Sequence, residues 1–287
     1  MSARVGAGPA VGSVGGRAAR LTGRAPALAR AARSLGGLAP PLAFGVVFLT
    51  AWELFVRVRH IKPFLLPRPS AIWGELHGNA SLIAKAARVS GTNALVGLVL
   101  GALAGIVVAF AASRFAVLRK LVTPMAVAVS AMPIIVVASV LYNMVSNTSQ
   151  VPRRIMAGIV VFFVVFVNVA KGLTEVTATQ TELMRSYAAT DTDVLRKVRV
   201  PNALSHLFTA LKVAAPLAVV TAFVSEYFGG LQDGLGYRIT SNIANSKDAV
   251  AWAYVAGAIA LGLVFYVASV ALERAAMPWQ ARRGRGG

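Results

Sequence analysis

The chain has 287 residues, of which 57% are hydrophobic and 14% charged, and its formal net charge is +19. A mean hydropathy of +0.68 lies far above that of soluble globular domains and indicates a membrane protein. The absence of cysteine from the sequence excludes disulfides, thiolate metal sites and cysteine nucleophiles. The basic residues are scattered between apolar runs and accompany no groove-reading motif, so we expect no nucleic-acid partner.

The chain begins with a basic arm over residues 1–37 that is rich in alanine, glycine and arginine. This arm contains no acid, since the first carboxylate of the sequence is Glu53. It lacks the compact charged-then-apolar pattern of a signal peptide. We expect a disordered cytoplasmic tail near anionic lipid, with an organelle-type transit segment as the alternative. A transmembrane domain is expected over 38–275 and a basic tail over 276–287.

Six apolar runs can be bracketed by their nearest charged residues. The fifth is the least clean, because Lys212 and Glu226 bound only 13 uncharged residues within the apolar sequence over 203–228. A bilayer core of about 30 Å requires roughly 20 apolar residues per helical span. The runs do not alternate between apolar and polar residues, so they predict α-helices and not barrel strands. The predicted spans lie within 34–52, 89–113, 121–152, 155–170, 203–228 and 249–272. The third run exceeds one straight span, and we expect it to include an outer turn near 143–150. The predicted fold class is all-α integral membrane.

The distribution of lysine and arginine predicts the orientation of these spans. With the N-terminus inside, the inner segments hold 18 basic residues and the outer segments 10. Basic residues favour the cytoplasmic side, so both termini are predicted to be cytoplasmic. The loop over 57–88 opposes this trend with six basic residues on the outer side.

The fourth and fifth predicted spans are separated by an inner segment of about thirty residues, from Lys171 to Asn202. A first short helix is predicted over 176–189, with one apolar face at helical spacing. A second is predicted to begin at Asp191, carry acids at its start and bases at its end, and stop at Pro201.

The inner segment resembles the Glu-Ala-Ala motif of binding-protein-dependent ABC importer permeases. That pattern has a glutamate, a glycine six residues later, aliphatic residues at sixteen and eighteen, and a proline at nineteen. Matching residues are Glu182, Val198, Val200 and Pro201. At the glycine position of the motif the chain has Ala188, so the turn between the two helices is expected to be less sharp. The two alanines are replaced by Leu183 and Met184.

Other stretches look like the nitrate, sulfonate and taurine branch of that family. They are Trp52-Glu53, Leu66-Pro67-Arg68-Pro69-Ser70, Ser225-Glu226-Tyr227 and Gly234-Leu235-Gly236-Tyr237. The resemblance implies a six-helix type I importer permease of a prokaryotic cell membrane. The coupling segment, 175–201, would dock into a separate ATPase. The residues assigned to this contact are Glu182, Leu183, Met184, Tyr187, Ala188, Ala189, Val198, Val200 and Pro201.

The resemblance also implies the partners and the cofactors. An external solute-binding protein would select the solute, and a second copy of the permease would complete a homodimer. ATP and magnesium would be bound by the ATPase, since no G-x-x-x-x-G-K-[ST] phosphate loop occurs in this sequence. The chain itself is expected to bind no cofactor or metal and to catalyse no reaction.

Charged residues and prolines within the spans are candidates for the solute pathway, because an intramembrane charge is costly. Glu226 with Tyr227 is either a gate facing the pathway or a hydrated carboxylate at the headgroup level. Lys212 is expected to snorkel to the cytoplasmic interface. Pro133 and Pro216, with Pro124, interrupt spans and either line the pathway or simply kink the helices.

Glycine recurs at every fourth position on the second span, at Gly97, Gly101 and Gly105. Such a stripe allows close helix approach and is expected to pack within the bundle. The three histidines, at positions 60, 77 and 206, are isolated in the sequence, which argues against a metal site.

The cargo is expected to be a small organic anion of the sulfonate, nitrate or taurine type. A vitamin or a pyrimidine precursor is the alternative for the same class of transporter. An ATP-independent channel or carrier would require ionisable residues in the middle of several spans, and an intramembrane enzyme would require a catalytic constellation. The sequence shows neither pattern.

Overall fold

The computed structural model describes residues 27–115, 117, 120, 124, 132–145, 148–229 and 231–278. Every regular element in these ranges is helical. The helices are α1 (Ala27–Val58), α2 (Pro69–Gly78), α3 (Ala80–Arg114), α4 (Ile134–Met144), α5 (Val151–Thr174), α6 (Ala178–Ser186), α7 (Asp191–Val194), α8 (Val200–Phe228), α9 (Leu235–Ala244) and α10 (Asp248–Ala276). The chain divides into two units, Met1–Phe55 and Val56–Gly287.

The first unit contributes the larger part of α1 to the description. Phe44, Phe48 and Trp52 succeed one another at four-residue spacing along this helix, with ring centroids 6.3 and 6.2 Å apart. The predicted first span, 34–52, lies within α1, and the predicted basic arm overlaps its first residues.

In the second unit, four helical segments are long and apolar enough to cross a membrane. They are Ala80–Arg114, Val151–Thr174, Asp191–Phe228 and Asp248–Ala276. The predicted second, fourth, fifth and sixth spans lie inside them, so the all-helical membrane architecture is confirmed. The third predicted span falls partly outside the described residues. Its described part includes α4, which has 11 residues and a length of about 16 Å at 1.5 Å per residue. Six spans therefore stay a prediction.

The core of the second unit forms where α3 packs against α5. At Gly97 an added Cβ would lie 2.5 Å from Ala157 Cβ, and at Gly105 it would lie 2.9 Å from the carbonyl oxygen of Phe162. At Gly101 it would collide with the carbonyl oxygen of Gly158. The prediction that the glycine stripe packs within the bundle is confirmed.

Residue numbers rise in the same direction in both helices along this contact, from Gly97 beside Ala157 to Gly105 beside Phe162, so α3 and α5 run parallel. The helix α8 runs the other way, because its end lies beside the starts of α3 and α5 and its start lies beside the end of α5. The second unit therefore has two ends. One carries the starts of α3 and α5, and the other carries the segment between α5 and α8.

Candidate functional site

The segment between α5 and α8 begins later than the sequence suggests. Helix α5 continues through Lys171 to Thr174, and the first short helix, α6, spans 178–186 instead of 176–189. A capping box starts α6: Thr177 Oγ1 accepts from the amide of Gln180 at 3.3 Å, and Gln180 Oε1 accepts from the amide of Thr177 at 3.2 Å. This reciprocal pair satisfies backbone donors that the first helical turn leaves open.

The turn after α6 contains a residue in the left-handed backbone region. Ala188 has a φ of 51°, a conformation that costs roughly 1–2 kcal/mol for a residue with a Cβ. This is the position where the motif that the segment resembles has glycine. The alanine therefore adopts the conformation that glycine would adopt freely, and the expectation of a less sharp turn is wrong in this respect.

The second short helix, α7, also starts with a capping box. Thr190 Oγ1 accepts from the amide of Asp193 at 3.2 Å, and Asp193 Oδ2 accepts from the amide of Thr190 at 3.2 Å. The predicted acids at its start and bases beyond its end are confirmed. One of them, Lys197, pairs with Asp193 at 2.9 Å.

Pro201 does not stop this helix, contrary to the sequence prediction. The chain stays helical from Asp191 to Phe228, with a π-helical turn over Leu195–Arg199. In that turn the amide of Val200 donates to the carbonyl of Leu195, five residues earlier. The wider turn makes room for the proline ring, which in a regular α-helix collides with the carbonyl four residues before it. The segment is therefore continuous with α8.

The apolar residues at the end of α6 are exposed. Leu183 is 56% and Tyr187 77% exposed, while Met184 is half-buried and Glu182 is exposed. Val198 and Val200 are half-buried, and Pro201 is exposed. The short helix thus presents apolar side chains and a carboxylate outward.

The segment is fixed to the bundle where α5 and α8 cross. Asn202 Nδ2 donates to the carbonyls of Gly172 and Glu175, at 2.8 and 3.1 Å. These bonds satisfy carbonyls that the end of α5 leaves open. A Cβ on Gly172 would lie 2.7 Å from the Cα of Ala203, so the two helices are in close contact. The segment is therefore anchored to both α5 and α8.

At the opposite end of the unit lies a buried polar network around Glu226. This carboxylate is 1% exposed, so the interpretation of a hydrated group at the headgroup level is wrong. Glu226 Oε2 accepts from Ser90 Oγ at 2.6 Å and from the amide of Gly236 at 3.2 Å. Its Oε1 lies 3.8 Å from Nη1 of Arg153.

Arg153, which is fully buried, joins this network to the loop before α9. Its Nη1 donates to Asp233 Oδ1 at 2.7 Å and to Gln150 Oε1 at 2.8 Å. Its Nη2 donates to the carbonyl of Leu231, and its Nε lies 3.4 Å from the hydroxyl of Tyr142. Burial of the cation is therefore balanced by two carboxylates and several acceptors.

Glycines allow the loop to approach Glu226 this closely. A Cβ on Gly234 would collide with the Glu226 carboxylate, and one on Gly236 with the carbonyl oxygen of Phe223. The glycine-rich stretch is thus required by packing. Glu226 is recognisable in the sequence as a charge within an apolar run, whereas the only signal for Arg153 is an arginine pair at the start of an apolar helix.

The remaining candidates lie outside this network. Tyr227 is 38% exposed and stacks edge-on with Phe228 at 5.0 Å. Pro216 lies inside α8, and Pro133 immediately precedes α4. The residues on either side of Pro124 in the sequence lie outside the described ranges.

Lys212 pairs with Glu273 of α10 at 2.9 Å, so its charge is compensated within the bundle, and its snorkelling to the cytoplasmic interface stays a prediction. His206 lies 3.7 Å from Glu175. No group of three or more metal-ligating side chains occurs in the described part of the chain.

The four long apolar helices are those of an integral membrane protein, and an exposed helical segment lies at one end of them. A family model described as binding-protein-dependent transport system inner membrane component matches residues 97–278. The chain belongs to this family. It is therefore a membrane-embedded permease of ABC transporters, and the family is one of transport proteins and not of enzymes.

Two relatives are similar over most of the chain. One is the formylaminopyrimidine transport permease protein ThiX of Halalkalibacterium halodurans, 27% identical over 254 residues, which cover 88% of this chain and 99% of the relative. The other is a probable ABC transporter permease protein of Haemophilus influenzae, 25% identical over 234 residues, which cover 80% and 93%.

Proposed function

We propose that this chain is the six-span permease of a type I importer in a prokaryotic cell membrane, with both termini cytoplasmic. In this proposal the segment 175–201 docks into a separate ATPase. The observation that carries it is the exposure of Leu183 in α6 and of Tyr187 directly after it, on a segment fixed to α5 and α8.

The physical argument starts from the cost of that exposure. Burying one large apolar side chain stabilises a contact by about 1.5–3 kcal/mol, so a groove on a partner would gain from covering both residues. The segment has no described flexible joint to α8, since the helix continues through Pro201. Closure of the partner ATPase would therefore move α5 and α8 as rigid bodies.

The family supports an ATPase and a solute-binding protein as partners. ATP and magnesium belong to the ATPase, because the sequence lacks a phosphate-binding loop. An external solute-binding protein delivers the solute. We propose that two copies of the permease form a homodimer with two ATPases, which a purified complex containing two different permeases would contradict.

For the cargo we propose a small pyrimidine precursor. The support is the similarity to the formylaminopyrimidine permease, which extends over almost the whole length of that relative. The motifs that resemble the nitrate, sulfonate and taurine branch favour a small organic anion as the second candidate. Uptake of radiolabelled formylaminopyrimidine and of taurine, measured side by side, distinguishes the two.

The test of the coupling role uses the complete importer in vesicles with ATP inside. We expect Glu182→Lys, and separately Ala188→Leu, to reduce uptake at least tenfold while ATP hydrolysis continues. Charge reversal of Arg88, an exposed residue at the opposite end, is the matched control and should leave both activities unchanged. Normal uptake by the Glu182 and Ala188 variants would contradict the proposal.

A further inference from the structure

The second unit contains an open apolar cavity of about 940 Å³ between α3, α4 and α5, where the lining residues Leu100 and Val140 are 60% and 50% exposed. Its described lining is almost entirely aliphatic and aromatic, as Leu100, Val140 and Phe162 illustrate. Arg154 is the one charged side chain in that lining. Small-molecule sites are typically apolar cavities of this size with a few polar groups that fix the ligand.

The guanidinium of Arg154 is held in place by a chain of side-chain amides. Its Nε donates to Asn93 Oδ1 at 3.0 Å. Asn93, 1% exposed, donates through Nδ2 to Gln150 Oε1 at 2.7 Å, and Gln150 Nε2 donates to Asp233 Oδ2 at 2.7 Å. Each amide is thereby oriented by the next, and the carbonyl of Asn93 is directed at Arg154.

The two adjacent arginines differ in how their charges are compensated. Arg153 lies within 4 Å of Asp233 and Glu226, whereas no carboxylate among the described residues lies that close to Arg154. The terminal nitrogens of Arg154 donate no hydrogen bond to any described residue. Arg154 lies in the first turn of α5, just outside the predicted span 155–170, and its half-buried side chain lines the apolar cavity, so its terminal N–H groups are available to a solute.

We propose that Arg154 recognises the transported solute in this cavity, by donating to an oxygen acceptor of the solute. A guanidinium offers two parallel N–H donors, which suit a carboxylate, a sulfonate or a carbonyl. The apolar walls, including Phe162 and Phe163, would cover the rest of a small, compact or planar molecule. Both candidate cargos carry such an oxygen, the formyl carbonyl in one and the sulfonate in the other.

This inference rests on the proposed function and specifies the solute contact that the transporter would use. None of Pro133, Pro216, Glu226 and Tyr227 is among the described lining residues. The proposed solute contact therefore lies in the cavity between α3, α4 and α5, beside the glycine stripe of α3, and not at the end of α8.

The experiment measures ATP-driven uptake by the complete importer in vesicles, with formylaminopyrimidine and taurine as the two probes. Arg154→Gln removes the charge, and Arg154→Lys keeps it without the forked geometry. Loss of charge-assisted hydrogen bonds is expected to reduce uptake of the transported probe by about 10- to 100-fold in the Gln variant. The Lys variant should retain an intermediate rate.

Thermal unfolding of each purified variant separates recognition from a structural role. We expect the melting temperature of Arg154→Gln to lie within a few degrees of that of the parent, since one hydrogen bond to Asn93 is lost, and the control Arg88→Gln to keep parental uptake. Parental uptake by Arg154→Gln would overturn the inference, and so would a loss of uptake accompanied by a drop in melting temperature of more than about 5 °C. A parent importer that takes up neither probe when supplied with ATP would instead contradict the proposed function, and the inference would be abandoned with it.

Discussion

Replacing Arg153 by methionine is expected to destabilise the protein strongly. The change removes the cation that faces Asp233 at 2.7 Å and Glu226 at 3.8 Å, and both the Arg153 and Glu226 side chains are fully buried. It also removes the donors to Gln150 and to the carbonyl of Leu231. Breaking one side of a buried ion pair typically costs about 3–5 kcal/mol, because the remaining charge is left uncompensated.

The neighbouring residue provides the matched control. Arg154→Met removes a cation of the same size from the next position, but this side chain is half-buried and makes a single described hydrogen bond. Its cost should stay below about 1.5 kcal/mol. Denaturant titration of each purified variant in detergent micelles, followed by circular dichroism, gives the free energy of unfolding.

A double variant tests whether the charge itself is responsible. Glu226→Gln alone should destabilise the parent, since Arg153 then loses a counter-charge. In the Arg153→Met background the same change should stabilise, because it removes an uncompensated buried carboxylate. Equal costs for the two methionine variants, or the same sign for Glu226→Gln in both backgrounds, would refute this account of the network.

Two further substitutions test the coupling segment. Ala188→Gly should stabilise the turn by about 1 kcal/mol and preserve uptake, because glycine adopts a φ of 51° without strain. Ala189→Gly should instead destabilise the protein, and thermal unfolding compares the two variants. Gly172→Ala should cost about 1–3 kcal/mol, because its Cβ would lie 2.7 Å from the Cα of Ala203. Gly262→Ala, with open space around the added Cβ, is its control, and equal unfolding free energies for these two variants would contradict the close crossing.

The sequence predicts the helices of this protein well where long apolar runs are bounded by charges. The predicted span 89–113 lies inside α3, and the span 249–272 inside α10. Hydropathy succeeds here because each run is long enough to cross the bilayer alone. It underestimates helix length, because polar turns at the ends, such as the first turns of α3, extend beyond the apolar part.

The contacts between helices could not be predicted in the same way. Arg153 and Asp233 are 80 positions apart, and Ser90 and Glu226 are 136 apart. Their proximity depends on the parallel packing of α3 with α5 and on the reversed direction of α8, which no local pattern contains. The prediction that the second short helix stops at Pro201 fails for a related reason, since a π-helical turn accommodates a proline that usually ends a helix.

The most direct test of the coupling role is site-specific cross-linking within the assembled importer. The native sequence has no cysteine, so one cysteine introduced at Tyr187 is the only thiol in the permease. With a short thiol-reactive cross-linker and the ATPase present, Tyr187→Cys should form a covalent permease–ATPase product, and Arg88→Cys should not. A Tyr187→Cys importer that hydrolyses ATP and transports solute but yields no such product would contradict the proposed docking of 175–201.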